Sequence, residues 1–292
     1  MNRGQASRTA EYVALFRTIE SALPADSRLF EDPLARRFLS PPLAAVAALC
    51  RVPGIAKLVA RYVDRGWAGA RSSAVARTRL IDDTIRAALD RGIEQLVILG
   101  SGFDARAYRL DGLSELAIFE VDHPDTLAKK RSVLHRAAVE LPSRMRFVGV
   151  DFKSADLAPR MTAEGYSERA RTFFLWEGVT NYLTEAAVDK TLRWCAEAAS
   201  GSQLLFTYVH RAVVDDPEAF AGTEKLFATL EAAGERWTFG LDPAELASFL
   251  GHRGLELEED IGSAEYRARY LPEVARNMRG YEFYRLAIAR VP

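Results

Sequence analysis

The sequence predicts an α/β protein built on one mostly parallel sheet, with an N-terminal helical cap over residues 1 to 70. From about residue 71 onward, helical patterns alternate with short apolar runs, which is typical of βαβ units stacked into a parallel sheet. The preceding segment is helical in pattern and comes before the first such unit. The composition, 49% hydrophobic and 27% charged over 292 residues, is that of an ordinary globular protein long enough to bury a sizeable core.

The individual elements follow from spacing. A helix is predicted in "SSAVARTRLIDDTIRAALDRG", where Val75, Ile81, Ile85 and Leu89 keep helical spacing and Gly92 follows as a stop. Five strands are predicted before residue 210, in "LVILG", "LAIFEVD", "RMRFVGVD", "TFFLWEG" and "QLLFTYV". The later runs "LELEEDIG" and "YEFYRLAIARV" have no comparable long helix between them, so they predict a closing antiparallel pair. We expect residues 71 to 292 to form a single catalytic unit with the cap.

Charge and cysteine usage exclude several classes. The 39 basic and 40 acidic residues give a net charge of −1, so no general attraction to nucleic acid or to an anionic membrane is expected. Cys50 and Cys195 are too few for a disulfide framework, and the N-terminus lacks the apolar core of a signal peptide, which predicts a cytoplasmic protein. The apolar stretch from 41 to 63 is interrupted by charges and by Pro53-Gly54, so a helical pair is predicted there rather than a membrane span. The composition leaves a homo-oligomer open.

A glycine turn follows the first strand, in "LVILGSGFDARAYRL". Gly100 and Gly102 allow a tight turn and a close approach that a Cβ would prevent, and Ser101 lies between them. Asp104 is predicted to cap the helix that follows, whose N–H groups would face a ligand. Such a turn occurs in dinucleotide sites, in methyltransferase sites and in plain βα corners, so alone it decides little.

Acidic residues follow the next strands at the same edge of the sheet, where ligands bind in open parallel sheets. Glu120 and Asp122 end the second strand, Asp151 and Phe152 follow the third, and Glu177 follows the fourth. A carboxylate after the second strand is well placed to accept hydrogen bonds from a ribose diol, and an acid with an aromatic ring after the third suits adenine.

The same acids would repel phosphates, and Ala105 stands where the third glycine of a dinucleotide motif is expected. A pyrophosphate cofactor is therefore disfavoured. A cationic adenosine cofactor without phosphates is favoured, and S-adenosylmethionine fits that description.

Seven motifs together resemble the leucine carboxyl methyltransferase-like family of class I methyltransferases, and more closely its bacterial branch linked to O-methylation in polyketide and other natural-product pathways. The motifs, in chain order, are "SRTAEYVALFRTIES", "LFEDPLARRF", "ARTRLIDD", "VILGSGFDARAYRL", "FEVDHP", "VDF" and "LWEGVTNYL". The resemblance implies a Rossmann-like, seven-stranded, mostly parallel sheet with an antiparallel last strand, plus an N-terminal helical cap.

The resemblance also implies a set of cofactor-binding residues. Arg77 would bind the carboxylate of the cofactor's methionine moiety, Gly100 would lie against that moiety, and Asp122 would bind the ribose. Asp151 and Phe152 would contact the adenine, and Glu177 the amino group. Ser101, Gly102 and His123 adjoin these positions and complete the predicted set. Where eukaryotic members carry a lysine near the N-terminus, this chain has Arg8.

The methyl acceptor is expected on the cap side, along the ends of the fourth and fifth strands. Asn181 and Tyr182 follow the fourth strand, and Tyr208, His210 and Arg211 lie at the end of the fifth. Arg211 would bind an acceptor carboxylate, whereas His210 would remove a phenolic proton. Alternatively, the tyrosines lie at the edge of the hydrophobic core, and His210 only forms a hydrogen bond within its loop. The segment from 215 to 241 contains four aromatic residues, Phe220, Phe227, Trp237 and Phe239. They either line the acceptor pocket or belong to ordinary packing between helices.

The predicted function is an S-adenosylmethionine-dependent O-methyltransferase acting on a small molecule, with a carboxylate acceptor as first choice and a phenol as second. Two alternatives come from other functional classes. One is a nucleotide-dependent oxidoreductase that uses the same type of sheet, and the other is a noncatalytic cofactor-binding protein. The four histidines are scattered without metal-ligand spacing, so no metal site is predicted.

Overall fold

The computed structural model describes residues 8–152, 157–221 and 223–292. Their strands form one seven-stranded sheet in the order β3-β2-β1-β4-β5-β7-β6, which confirms the predicted fold class. The strands are β1 Gln95–Leu99, β2 Ala117–Asp122, β3 Met145–Gly149, β4 Thr172–Trp176, β5 Gln203–Val209, β6 Glu256–Gly262 and β7 Tyr284–Arg290. Each of the five strands predicted before residue 210 is present.

The α-helices of the described residues alternate with these strands. They are α1 Arg8–Ser21, α2 Pro41–Leu49, α3 Ile55–Gly66, α4 Ala70–Asp90, α5 Arg106–Arg109, α6 Pro124–Arg136, α7 Leu157–Ala163, α8 Glu185–Ala196, α9 Arg211–Asp215, α10 Thr223–Ala232, α11 Leu246–Gly251, α12 Ser263–Tyr270 and α13 Pro272–Ala275. Short 3-10 turns lie at Ala35–Phe38, Thr180–Tyr182, Pro217–Ala219 and Pro243–Glu245.

The strand order reverses at β1, and this creates the crevice in which ligands of such sheets bind. β1 pairs in parallel with β2 on one side and with β4 on the other. The chain after β1 therefore leaves toward β2, whereas the chain after β4 leaves in the opposite direction. The glycine turn after β1 and the acid after β4 consequently flank the same opening.

The predicted closing antiparallel pair is present as β6 and β7. Its second strand, β7, lies between β5 and β6 rather than at the edge of the sheet. β7 is antiparallel both to β5 and to β6, so it separates them. The register pairs Val209 with Tyr284, which brings the end of β5 next to the start of β7.

Each face of the sheet is covered by helices of its own. On one face, Leu96, Ile98 and Leu205 pack with Ile81 of α4 and Tyr266 of α12. On the opposite face, the core includes Val97, Phe174 and Phe206 together with residues of α8 and α11. β1, β4 and β5 are buried along their whole length, which explains why they appear in the sequence as unbroken apolar runs.

The cap consists of α1, the helical pair α2 and α3, and the turn around Ala35–Phe38. Its apolar residues, among them Ile19 and Ala60, share a core with Ala70 and Val75 of α4. The helical pair predicted between residues 41 and 63 is thus present. No described helix is long and apolar enough to cross a bilayer. Residues 1–7 of the predicted cap lie outside the described residues.

Candidate active site

The turn after β1 is built from two glycines with positive φ. Gly100 has φ +69° and Gly102 has φ +37°. The amides of Gly100 and Ser101 both donate to Val121 O, at 2.8 and 3.0 Å, so the turn folds back onto β2. A Cβ on Gly100 would overlap Cγ2 of Val179. The close approach predicted at this glycine is therefore made by a side chain of the protein itself.

Asp122 at the end of β2 fastens the same turn. Its Oδ2 accepts the N–H of Gly102 at 2.7 Å and its Oδ1 accepts the N–H of His123 at 2.6 Å. Burial raises the pKa of Asp122 even though these hydrogen bonds oppose the shift. Each carboxylate oxygen carries a second lone pair, so Asp122 can fix the turn and still accept from a ribose diol.

Glu120 does not face the opening as the sequence suggested, whereas the predicted cofactor contact of His123 stays a prediction. The His123 side chain is 48% exposed, and its Nδ1 accepts the N–H of Asp125, so it caps α6. Glu120 is fully buried, where it pairs with Lys130 at 2.7 Å and accepts the Tyr108 hydroxyl at 2.9 Å. Glu120 therefore supports the β2 end of the site from within the core.

Asp104 differs from its predicted function as a helix cap. The helix that follows, α5, is a single turn of four residues whose N-cap position is Ala105. Asp104 instead accepts the N–H of Arg106 at 2.7 Å and forms an ion pair with its guanidinium. Burial opposes the charge of Asp104, but the cations Arg106, Lys130 and Arg17 lower its pKa to about 2.

Glu177 after β4 is held between two arginines. Arg77 Nε donates to its Oε1 at 2.7 Å, and Arg106 Nη1 donates to its Oε2 at 2.8 Å. Burial alone would raise the pKa of Glu177, but Arg106 and Arg77 lower it below its usual value. The chain thus supplies two cations that compensate this buried carboxylate, and the predicted contact of Glu177 with the cofactor's amino group stays a prediction. An ammonium would join an existing cluster of opposite charges.

The ion pairs continue from Arg106 into the cap. Asp82 of α4 accepts Arg106 Nε at 2.9 Å and the Arg109 guanidinium at 2.7 and 2.8 Å. Arg17 of α1 pairs with Asp32 at 3.0 Å and donates to Phe103 O at 2.7 Å. The cap is thus bound directly to the backbone of the glycine turn by a buried guanidinium.

The segment that follows β3 is described as far as Phe152. Asp151 and Phe152 are both partly buried, and the Phe152 ring packs against the core on the α8 side of the sheet. The side chain of Arg8 lies outside what is described. The predicted adenine contacts of Asp151 and Phe152 stay predictions.

The predicted acceptor residues Tyr182 and Trp237 lie together in an aromatic cluster next to Arg77. Trp237 packs edge-on against Tyr284 with ring centroids 5.7 Å apart, and the Arg77 guanidinium lies 5.3 Å from the centre of the Tyr284 ring. The Tyr182 hydroxyl donates to Glu235 Oε2 at 3.1 Å, and Thr9 of α1 donates to the same oxygen at 2.9 Å.

Asn181 is 1% exposed, and its Nδ2 has no hydrogen-bond partner among the described residues. Ser101 is equally buried, and its hydroxyl likewise lacks a described partner. Buried donors are rarely left unpaired, so each is a candidate contact for a bound molecule.

His210 joins the aromatic cluster through Phe220, with ring centroids 5.4 Å apart. Its Nδ1 accepts the N–H of Ala212 at 3.1 Å and caps α9. This hydrogen bond assigns the proton of the neutral ring to Nε2, which can donate but cannot accept. His210 in this arrangement is not the predicted base for a phenolic proton. Arg211, in the first turn of α9, has an exposed side chain.

Tyr208 is a correction to the predicted catalytic set. It is fully buried on the α8 side of the sheet, packed with Phe206 and Phe239. Its hydroxyl donates to Asp260 Oδ1 at 2.9 Å and accepts from Arg285 Nε at 3.0 Å, which ties it to β6 and β7. The neighbouring Thr207 faces the site instead, where its Oγ1 accepts the N–H of Gly178 at 2.7 Å.

Sequence reasoning missed the partners of the predicted residues, namely Arg106, Asp82, Tyr284 and Glu235. Arg106 stands inside the motif "GFDARAYRL", and the search for a cation to balance Glu177 would have found it. Asp82 stands in the motif "ARTRLIDD" together with Arg77, whereas Tyr284 and Glu235 are contributed by distant segments that lie outside the seven motifs.

The residues present fit S-adenosylmethionine. The opening combines a turn with two glycines, a Ser101 hydroxyl that has no hydrogen-bond partner among the described residues, a carboxylate at the predicted ribose position and an Arg77 guanidinium whose planar fork can hold a second carboxylate.

Comparison with known proteins agrees with this geometry. Residues 10–196 match the model of the family described as leucine carboxyl methyltransferase. A Frankia alni protein is 34% identical over 218 residues, covering 71% of this chain and 70% of the relative. A Mycolicibacterium smegmatis protein is 33% identical over 261 residues, covering 84% and 79%. Both relatives bear the name "putative S-adenosyl-L-methionine-dependent methyltransferase".

A crystal structure of a "putative methyltransferase" from Thermobifida fusca superposes with a TM-score of 0.60 at 17% identity, covering 99% of this chain and 96% of that one, and supports the fold. The family match spans the glycine turn, the strand-end acids and the paired arginines described above. The chain belongs to the leucine carboxyl methyltransferase family and is an S-adenosylmethionine-dependent methyltransferase.

Proposed function

We propose that this methyltransferase methylates an oxygen atom of a small natural-product-like molecule, and that this oxygen belongs to a carboxylate, so that the product is a methyl ester. The observation that carries the choice is the hydrogen bond from Ala212 N–H to His210 Nδ1. Because Nδ1 accepts this hydrogen bond and Nε2 carries the proton, the neutral His210 ring has no free lone pair with which to accept a proton from the acceptor. A carboxylate is already ionised at neutral pH and needs no base, whereas a phenol does. The description of the family as leucine carboxyl methyltransferase supports the same choice.

S-adenosylmethionine supplies an electrophilic methyl group on a cationic sulfur. The protein then has to position the acceptor and exclude water, since no acid or base is required for an ionised acceptor. Arg77, Asp122 and Glu177 are proposed to hold the cofactor, together with Gly100, Ser101 and Gly102. Asn181 Nδ2 and His210 Nε2 are proposed to donate to the acceptor, and Tyr182 and Trp237 to form its apolar wall.

A phenolic acceptor is the second candidate. The cluster of Trp237, Phe227, Phe283 and Tyr284 rings beside Arg77 favours it, because aromatic side chains pack well against an aromatic acceptor. In that case the His210 ring would have to give up its hydrogen bond to Ala212 before it could accept a proton.

The test is transfer of a radiolabelled methyl group from the cofactor to small molecules of a cell extract, followed by mild base. A methyl ester releases labelled methanol, whereas an aryl methyl ether survives. For a carboxylate acceptor, His210→Ala should lower turnover only modestly through lost positioning, and Arg211→Ala should lower it more if Arg211 binds the acceptor charge. Tyr208→Phe is the matched control, since its hydroxyl faces β6 and β7 rather than the site. A base-stable product with a loss of about 10² to 10⁴ in rate for His210→Ala would establish the phenol instead.

A further inference from the structure

A cavity of about 210 Å³ lies outside the methyltransferase site, between α12, α13 and the segment that leads into β7. It is lined by Ala264, Arg267, Ala275, Arg276, Met278, Arg279 and Glu282. Three of these seven side chains are guanidiniums and one is a carboxylate. The residues predicted or proposed to contact the cofactor or the acceptor are not part of its lining.

Arg267 is the unusual member of this lining. Its side chain is 1% exposed, and its Nε has no hydrogen-bond partner among the described residues. Its nearest carboxylate is Glu282, 3.8 Å from Nη2, which is too long for a hydrogen bond. The Glu282 side chain is 40% exposed and free to be solvated. Burial lowers the pKa of Arg267, as expected for a charge without close compensation.

A buried cation without a hydrogen-bonded anion is costly, yet the fold holds Arg267 in place. Arg267 Nη1 donates to Gly280 O at 2.5 Å. Gly280 has φ +122° and Gly69 has φ +87°, and a Cβ on Gly69 would lie 2.7 Å from Arg267 Nη1. Two glycines in conformations that other residues avoid thus make room for this guanidinium.

The other two arginines differ in their partners. Arg276 already pairs with Glu273 at 3.0 Å on the surface. Arg279 has an exposed side chain and forms no ion pair within the part of the chain that the structure describes. Arg267 and Arg279 therefore bring two positive charges to one cavity, and no carboxylate within hydrogen-bonding distance neutralises either of them.

We propose that this cavity binds a small oxyanion through a phosphate group, either as free phosphate or carried by a small molecule. The forked N–H groups of arginine match phosphate oxygens, and a dianion balances the two guanidiniums. The cavity is far larger than a water site, so it holds the whole group. The bound anion joins α12 to residues 278–280, which in turn contact the junction between α3 and α4, where Ser72 Oγ lies 3.1 Å from Met278 Sδ.

The experiment is calorimetric titration of the full chain with inorganic phosphate and, separately, with glycerol 3-phosphate, in chloride buffer of constant ionic strength. Saturable binding at millimolar concentrations is expected. Arg279→Gln should weaken it at least about tenfold, because a charged hydrogen bond is lost, and Glu282→Gln should tighten it because a competing carboxylate is removed. Stronger binding of glycerol 3-phosphate would identify a carried phosphate group, and equal or weaker binding would identify free phosphate.

Arg269→Gln is the matched control, because Arg269 lies on the same helix, is exposed and pairs with Glu259 outside the cavity. It should bind phosphate as the unchanged chain does. The affinity of each variant for S-adenosylhomocysteine serves as a check of folding and should not change. The proposal is overturned if neither phosphate compound binds saturably, if Arg269→Gln weakens binding as much as Arg279→Gln does, or if Glu282→Gln fails to tighten it.

Discussion

Gly100 is the residue at which the backbone geometry of the site is most restricted. It combines a positive φ with the close approach of Val179, so Gly100→Ala should reduce the free energy of unfolding by more than the roughly 1 to 3 kcal/mol that a strained backbone alone costs. Cofactor binding should be lost as well. Urea unfolding with and without S-adenosylhomocysteine measures both.

Gly165→Ala is the matched control for Gly100→Ala, because Gly165 has φ +89° and nothing within 4 Å of its Cβ position. It should show only the backbone strain. The double variant Gly100→Ala, Val179→Ala should recover part of the lost stability. If Gly165→Ala is as destabilising as Gly100→Ala, the contact with Val179 is not the cause.

Asp104 makes the stability of the site depend on pH. Its pKa is lowered to about 2 in the folded protein, so the stability that it contributes is present above its unfolded pKa and is lost as the pH falls through the folded one. Asp104→Asn keeps the acceptor for Arg106 N–H but removes the charge. It should cost about 2 kcal/mol at pH 7, and the difference from the unchanged chain should shrink as the pH falls from about 4 to about 2.

The measurement is urea unfolding of both proteins at a series of pH values. Asp111→Asn, at an exposed carboxylate, is the control and should change little at any pH. A cost of Asp104→Asn that stays constant down to pH 2 would show that shape rather than charge is responsible.

At the scale of elements, the cap has two parts that are fixed to different degrees. α1 is bound to the glycine turn through Arg17, whereas α2, α3 and the turn between them expose Leu49, Val52, Leu58 and Tyr62. We predict that any closure of the cap over the site takes place in α2 and α3, which are joined through Pro53-Gly54, whereas α1 stays in place.

Limited tryptic digestion measures this difference. Cleavage at the exposed residues Arg51, Lys57, Arg61 and Arg65 should slow when S-adenosylmethionine or its product is added, because a closed cap protects the backbone of α2 and α3. Cleavage at Arg144, in the loop before β3, should proceed at the same rate in both samples. Equal protection at all of these sites, or at none, would contradict a mobile pair.

At the scale of the whole molecule, we expect a reaction that does not depend on a metal ion, because an ionised acceptor has only to be positioned next to the methyl group. The described residues contain no group of three or more His, Cys, Asp or Glu side chains arranged to hold an ion. Turnover should therefore be unchanged after dialysis against a chelator. A loss of rate that added Mg²⁺ restores would show that a metal takes part.

The fold was more predictable than the site, and β4 and β5 show why. Their apolar runs mark them as buried strands, but a strand buried on both faces does not reveal which side chains face the ligand. A shift of one residue reverses the face, so the sequence predicts Tyr208 at the site, whereas in the structure Thr207 faces it. The motif around Arg106 contains the residue but does not give its partners, because Asp82 and Glu177 lie on other elements and meet Arg106 only in the folded chain.

Because β7 lies between β5 and β6, the sheet cannot be completed until the last strand of the chain has been synthesised. β6 forms its backbone ladder with β7 alone, although it precedes β7 in the chain. As the nascent chain emerges from the ribosome, β5 is complete long before residues 284–290 exist, and β6 has no strand to pair with. An unpaired strand edge invites association with other chains. The nascent protein is therefore most exposed to aggregation during synthesis of the segment from 210 to 283, and chaperones that bind apolar edges should act in that interval.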